Sequence, residues 1–383
     1  MPCLRLLALV LLGGVAALPA RAEDCPTDLI ATREGCVAQE DAAARVAEIV
    51  NDSIDGRNLK ASLAGFAFGD AQPALFAAGE TMTGVPAMPD MHFRNGSVAI
   101  AYLGTLLLQL VDAGKLDLED SLATWFPDYP KADQVTLRML ISGTSGYADY
   151  VTDAGFLADL HADPFRHWSP EELIAIAFAR PMACEPGACW SYAHTNFVIL
   201  GQVIEKATGR QLADLIRAGI VDRLGLENTR SDVTASIPMP VLHAFDAERG
   251  RHEESTFWDP SWTLAHGAIM TTDIADMLRS FAAIGAGTLV SPASHAAQIA
   301  PATAKLAPWS QGKFYGLGLF AIDGWLVQNP SFSGYAASVA YLPSRKLVIG
   351  TSVTINDRNT AEDNLSTDVL KDIAAYLAPE APL

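Results

Sequence analysis

Three side chains in this sequence have the chemistry of acyl transfer. Ser97 stands at the start of a stretch in which apolar residues recur with helical spacing, and its hydroxyl could attack a carbonyl carbon. Tyr192 and His194 lie two residues apart, and a phenol or an imidazole could transfer a proton near such a nucleophile. Serine at a helix start also caps the first turn in proteins where it has no catalytic role, and this alternative stays open for Ser97.

The segments around these residues are longer than single motifs. They read FRNGSVAI at 93–100, LISGTSGYADY at 140–150, EPGACWSYAHTNFVILG at 185–201, GLENT at 225–229, DPSWTLAHGAIMTTDIADM at 259–277 and GYAASVAYLPSRKLVIG at 334–350. In content and order they resemble the serine β-lactamase and penicillin-binding family, in particular class C β-lactamases and D-alanyl-D-alanine carboxypeptidases. Several ordered matches are more specific than one short motif.

The resemblance implies an α+β fold. An antiparallel sheet is expected with the terminal helices flanking it, together with an all-helical lobe from the middle of the chain and an active-site cleft between them. The apolar patterns predict helices at 41–51, 97–113, 170–180, 195–208, 272–284 and 365–377, and strands at 63–68, 74–78, 335–342 and 346–353.

The first of the three family motifs is changed in this sequence. Family members begin the catalytic helix with Ser-x-x-Lys, and the resemblance makes Ser97 the nucleophile. The lysine position is Ile100, one helical turn later and on the same face. An isoleucine cannot accept a proton, and removing one member of a catalytic unit costs several orders of magnitude in rate.

The second motif, Tyr-x-Asn in the family, reads Tyr192-Ala193-His194. The resemblance implies that Tyr192 relays protons between the nucleophile and the leaving group. We hypothesise that His194 replaces the missing lysine as general base, because an imidazole accepts a proton near neutral pH. The alternative, a histidine that only forms hydrogen bonds in the cleft, stays open.

The third motif, Lys-Thr-Gly or His-x-Gly in the family, aligns with Gln328-Asn329-Pro330. The resemblance implies that Gln328, Asn329 and the following Ser331 bind substrate. No cation or imidazole remains here, and Pro330 lacks the N–H that a strand would use to pair with a substrate. Recognition of a substrate carboxylate is therefore weakened.

The N-terminus has the pattern of a secretory signal. Arg5 precedes an apolar run at 6–18, and the triplet at 20–22 reads ARA, which is typical of a cleavage site. We predict a signal peptide at 1–22, an N-terminal extension at 23–40 and a single domain at 41–383. The mature chain would begin at Glu23 and be secreted or periplasmic, without stable membrane insertion.

Four of the five cysteines fall into two close pairs. Cys25 and Cys36 are eleven residues apart, and Cys184 and Cys189 are five apart. In an oxidising compartment this pattern predicts two local disulfides. The intervals differ from the CxxC spacing of zinc sites and no HExxH pattern occurs, so we predict neither a metal nor a cofactor. Other histidines, such as His161 and His167, are interpreted as surface or loop residues.

The chain is strongly acidic, with a formal net charge of −18. Such a charge repels the phosphates of nucleic acids and anionic membrane surfaces, so the expected partner is a small molecule or peptide in the cleft. Two classes of function remain. One is a serine hydrolase acting on an ester, peptide or β-lactam through Ser97. The other is a pseudoenzyme whose cleft binds a cell-wall peptide, another small ligand or a protein.

Overall fold

The computed structural model describes residues 25–26, 29–231, 233–359 and 364–383. The predicted signal peptide and the predicted mature N-terminus at Glu23 lie outside these residues. Within the described ranges, no helix combines the length and the apolar character needed to cross a membrane.

The structure is a mixture of helices and strands. The strands are β1 Ile30–Thr32, β2 Gly35–Val37, β3 Leu59–Phe68, β4 Ala74–Met82, β5 Val85–Pro86, β6 Phe93–Arg94, β7 Arg230–Ser231, β8 Phe245–Asp246, β9 Glu253–Glu254, β10 Met270–Thr272, β11 Lys313–Tyr315, β12 Phe320–Ile322, β13 Trp325–Gln328, β14 Ser331–Phe332, β15 Tyr335–Leu342 and β16 Leu347–Ile355. The α-helices are α1 Gln39–Gly56, α2 Val98–Asp112, α3 Leu137–Ser142, α4 Ala154–Ala162, α5 Pro170–Phe178, α6 His194–Thr208, α7 Leu212–Ile216, α8 Asp222–Leu224, α9 Ile274–Gly285, α10 Pro292–Gln298 and α11 Leu365–Leu377.

The central sheet is antiparallel and joins the two ends of the chain. Its strand order is β11-β12-β13-β15-β16-β3-β4-β5, and β14 pairs with the start of β15. Strand β16 occupies the middle, where Gly350 pairs with Gly65 of β3 and with Val339 of β15. Every residue of β15 and β16 is buried, which requires cover on both faces of the sheet.

Alternate residues of the strands pack against different helices. Ile349 and Val353 belong to the apolar core with α1 and α11, whereas Val348 belongs to the core with α9. This follows from the period of two in a strand, which sends successive side chains to opposite faces. The sheet is therefore sandwiched between the terminal helices and α9.

Helix α2 lies between this sheet and the helices from the middle of the chain. It contacts α6, α7, α9, α10 and β15, and most of its residues are buried on every side. An all-round apolar helix is expected to be interior. Ser97 immediately precedes this helix, so the helix fixes the position of the candidate nucleophile.

The fold class predicted from the sequence is confirmed, and several elements lie close to their predicted bounds. Helix α11 coincides with the prediction at 365–377, α2 is one residue shorter than predicted at each end, and α6 begins one residue earlier than predicted. The short strands β11–β13 and helix α10 were not predicted. Strands of three or four residues carry too little periodicity to be distinguished from loops, and pairing with a neighbouring strand defines them instead. Helix α10 has seven residues, about two turns, which is also short for a periodic pattern.

Packing of α11 against the sheet should contribute strongly to stability. Ile373 is fully buried in this interface, whereas Lys371 on the same helix is exposed. We expect Ile373→Ala to lower the free energy of unfolding by about 2–5 kcal/mol, because it leaves a cavity. Urea denaturation measures the change, with Lys371→Ala as a control that shifts stability by about 0.5 kcal/mol or less. Equal stability of the two variants would contradict this packing.

Candidate active site

Ser97 is placed by a tight turn between β6 and α2. Gly96 has φ +50, and a β-carbon there would lie 2.7 Å from the Pro330 side chain, so glycine is required by both backbone conformation and space. The Ser97 side chain makes no capping bond to α2. Its Oγ instead accepts a hydrogen bond from the Tyr192 hydroxyl at 3.0 Å. The structure thus brings together two of the three residues that the sequence selects for acyl transfer.

Tyr192 is held by the loop that the second disulfide closes. Both predicted disulfides, Cys25–Cys36 and Cys184–Cys189, are formed. Backbone bonds tie this loop to the turn at 143–146: Ser191 N–H donates to Gly143 O and Ala183 N–H donates to Gly146 O, each at 2.8 Å. A β-carbon at Gly146 would collide with the Cys184 carbonyl. The loop and the turn are therefore fitted closely together.

The Tyr192 hydroxyl is a donor in this site. Burial raises the pKa of Tyr192 well above its ordinary value of about 10, and the hydrogen bond with Ser97 only partly opposes this. The nearby Asp149 carboxylate raises this pKa further. Tyr192 is therefore protonated at neutral pH, and its proton lies on the bond to Ser97.

His194 is paired with a carboxylate that sequence reasoning missed. Its Nδ1 lies 3.0 Å from Asp149 Oδ2, and its backbone N–H donates to Asp149 Oδ1 at 3.1 Å. Asp149 Oδ1 also accepts the Val151 N–H at 3.3 Å. The Asp149 carboxylate thus caps the N-terminus of α6 and orients the His194 imidazole. It also stabilises the turn that follows Asp149, through the Val151 N–H. Asp149 and His194 are 45 residues apart in the sequence, so no local pattern could reveal the pair.

The imidazole of His194 stands edge-on to Tyr192, with ring centroids 5.2 Å apart. Among the described residues, the Asp149 carboxylate is its hydrogen-bonding partner, and no bond joins His194 to Ser97. Its side chain is 18% exposed. The structure therefore places His194 beside the Ser97–Tyr192 pair, without direct contact to the nucleophile.

Ile100 is fully buried in the main apolar core. The loop before β12 packs against the same turn of α2: a β-carbon at Gly318 would lie 2.6 Å from the Ile100 carbonyl oxygen. The residue at the family's lysine position is thus a well-packed core residue.

The segment at 328–331, which contains the third motif, lies next to Ser97, but its side chains differ in accessibility. Gln328 is 1% exposed, and its amide nitrogen donates to Gly318 O at 2.6 Å. Asn329 and Ser331 are exposed. Carbonyl oxygens of residues 329 and 330 accept bonds from the Asn364 side chain, at 2.6 and 2.9 Å. Asn329 and Ser331 are accessible to a ligand, while Gln328 supports the loop that covers α2.

Tyr315 is a second residue near the site, besides Asp149, whose position the sequence did not indicate. It is fully buried, and its hydroxyl has no partner in ordinary hydrogen-bond geometry among the described residues. Burial raises its pKa well above 10, and Tyr192 and Gln328 are near enough to influence it. A tyrosine in a short strand carries no distinguishing sequence signal, so this position depends on the folded structure.

The Asp149 carboxylate should be important for stability as well as for the site. We expect Asp149→Ala to lower the free energy of unfolding by about 1–3 kcal/mol, because two backbone N–H groups lose their acceptor. Asp149→Asn should cost less, since its amide oxygen still accepts. Thermal unfolding measures both changes. His194→Ala is the matched control, since it keeps the backbone bonds. If it destabilises the protein as much as Asp149→Ala, the capping role is wrong.

Comparisons with known proteins identify the family and the fold. A family model described as Beta-lactamase matches residues 57–372. Penicillin-binding protein 4 of Amycolatopsis lactamdurans is 28% identical over 338 residues, covering 83% of this chain and 85% of that protein. Esterase EstB of Burkholderia gladioli is 27% identical over 236 residues, covering 53% of this chain and 59% of the esterase.

Two solved structures share the fold. A D-stereospecific amidohydrolase from Streptomyces sp. superposes with a TM-score of 0.76 at 24% identity, covering 88% of this chain and 99% of that one. A D-amino acid amidase from Ochrobactrum anthropi SV3 superposes with a TM-score of 0.75 at 21% identity, covering 89% and 98%. The family model spans most of the chain, and the resemblance predicted from the sequence is confirmed: this chain belongs to the beta-lactamase family.

Proposed function

We propose that this chain is an exported, non-catalytic member of the beta-lactamase family that binds a small molecule or peptide in the cleft beside Ser97. The observation that carries the proposal is the fully buried Ile100 at the position of the family's lysine. Its side chain has no group that accepts a proton. It is also packed into the core, so no solvent-exposed space remains there for another base.

The remaining phenol is a poor substitute for that base. With an ordinary pKa of about 10, roughly one tyrosine in a thousand is ionised at pH 7. Burial raises the pKa of Tyr192 further, so the ionised phenolate that could act as a base is rarer still. Its hydroxyl donates to Ser97 Oγ, whereas a base would have to accept the serine proton. The hydrogen bond therefore holds the serine in place without activating it.

The cleft still offers groups that can hold a ligand. Within the described residues, no acceptor pairs with the Ser97 N–H, which lies at the partially positive N-terminus of α2. Exposed Asn329 and Ser331 flank Pro330, whose side chain would lie 2.7 Å from a β-carbon on Gly96, next to Ser97. These groups suit a carbonyl-containing ligand, and the names of the relatives refer to penicillin binding and to amino acid amides. The two disulfides support export.

The proposal predicts that Ser97 will not be acylated. We expect no covalent labelling by a fluorescent penicillin or a fluorophosphonate, measured by in-gel fluorescence and intact mass. A serine β-lactamase that retains its lysine is the positive control for the reagents. Labelling that disappears in Ser97→Ala would refute a non-catalytic role.

Restoring the lysine tests how much of the catalytic site persists. We expect Ile100→Lys to fall short of rapid turnover of a chromogenic β-lactam or ester, because the segment at 328–330 still lacks a cation. Thermal unfolding of the same variant checks that the buried amine is tolerated. Rapid turnover by this single variant would show that Ile100 alone silences the site.

A second candidate, a serine hydrolase of altered mechanism, is favoured by the pairing of His194 with Asp149. A carboxylate that binds Nδ1 orients an imidazole and stabilises its protonated form, as in serine hydrolases. In this mechanism His194 is the general base for Ser97, and Tyr192 donates a proton to the leaving group. The substrate would be an ester, a peptide or a β-lactam.

Hydrolysis of an activated ester separates the two candidates. If His194 is the base, His194→Ala should reduce the rate by about a hundredfold or more, as expected for loss of a general base. His194→Asn, which recreates the family's residue, should be equally impaired because an amide cannot accept the proton. A rate that is unchanged in both variants would eliminate His194 as the base.

A further inference from the structure

A pocket opens beside the cleft, along strand β14. This pocket, here called the β14 pocket, is lined by Ser331 and Phe332 of β14 and by Trp258 and Trp262. The β-carbon of Phe332 lies 3.5 Å from where a β-carbon on Gly96 would be, so the pocket begins close to the nucleophile. It is therefore within reach of a ligand that occupies the cleft.

The walls of the pocket are aromatic. Trp262 stacks on Phe332 with ring centroids 5.6 Å apart and an interplanar angle of 22°. Trp258 is largely buried, with 7% of its surface exposed. Indole faces attract cations as well as apolar groups, because the ring faces carry negative electrostatic potential.

The end of the pocket is acidic. Glu248 lines it and is half exposed, and His161 Nε2 lies 3.4 Å from its Oε2. His161, which the sequence suggested to be a surface or loop residue, lies on α4 with its side chain 33% exposed. Its Nε2 is buried at this wall, without good hydrogen-bond geometry to any described residue. No lysine or arginine is among the described residues that line the pocket.

A second carboxylate lies immediately behind Glu248. Asp246 is 1% exposed, and its Oδ1 accepts the Glu248 N–H at 2.7 Å. Its Oδ2 is buried and has no hydrogen-bond partner among the described residues. Burial, and to a smaller extent the neighbouring Glu248, raise the pKa of Asp246 to about 6.

The nearby arginines do not neutralise these two carboxylates. Arg249 and Arg251 are ion-paired with Glu253, at 3.1 and 2.7 Å. Glu248 and His161 are close enough to influence the charge of Asp246. Glu248 has His161 as its ion-pair partner, and the Arg249 guanidinium lies 5.8 Å from the centre of the Trp258 ring. A cation that enters the pocket would therefore meet a half-exposed carboxylate that pairs with no arginine among the described residues, together with the ring of Trp262.

We propose that the β14 pocket binds the protonated amine of a ligand, with Glu248 as its charged acceptor and Trp258 and Trp262 as its walls. This inference rests on the proposed ligand-binding role of the adjoining cleft. The ligand class is a primary amine on a small apolar or aromatic body that also carries a carbonyl group, such as an amino-acyl compound or the amino end of a short peptide.

Two matched probes test the pocket in the mature, disulfide-bonded protein. Benzylammonium carries the predicted charge, and benzyl alcohol has nearly the same size without it. Calorimetric titration should show saturable binding of benzylammonium and much weaker binding of benzyl alcohol. Glu248→Gln should weaken benzylammonium binding roughly threefold to tenfold, as expected for a charged hydrogen bond to a partly exposed carboxylate.

The control variant is Glu119→Gln, which removes another exposed, ion-paired glutamate far along the chain and should leave the affinity unchanged. Equal binding of the two probes, an unchanged affinity in Glu248→Gln, or no saturable binding of benzylammonium would each overturn the inference. Labelling of Ser97 would instead overturn the non-catalytic role and leave the amine pocket intact, so the two failures are distinguishable.

Discussion

Burial of helix α2 on all sides is the constraint on which the rest of this structure depends. The helix is enclosed by the sheet, by the helices of the middle region and by the loop before β12, which approaches so closely that Gly104 and Gly318 have no space for a side chain. Since Ser97 begins this helix, the position of the serine is a consequence of core packing. Ile100 belongs to that packing, and a buried ammonium at the same place would need compensating partners.

The polar groups of the site are organised around the N-terminus of a second helix, α6. The Asp149 carboxylate binds the imidazole of His194 and the backbone N–H of that residue, which fixes the start of α6. Tyr192 lies just before this start and donates to Ser97. The fold therefore places a phenol on the Ser97 hydroxyl, while the residue one helical turn after Ser97 is the buried, apolar Ile100.

The distribution of charge is consistent across the two halves of the proposed binding region. The segment at 328–330, where family members carry a lysine or histidine, contributes no cation, so a carboxylate on the ligand has little to bind there. The adjoining β14 pocket carries Glu248 and the buried Asp246. Under the proposed ligand-binding role, both features would favour a neutral or cationic ligand over an anionic one. This preference concerns ligand charge alone and is compatible with either a silent or a retuned serine.

The sequence by itself determined much of the architecture, because local rules encode it. Helix α11 and strand β15 are visible in the periodicity of apolar residues, the disulfides in the short cysteine intervals, and the replacement at Ile100 in the spacing of one helical turn from Ser97. The tertiary structure alone decided which distant groups meet. The pairing of His194 with Asp149, the burial of Gln328 against the loop before β12 and the acidic pocket behind β14 depend on how separate segments pack in three dimensions. Local periodicity specifies which face of an element is buried, but the partner across that face is selected by packing of the whole chain.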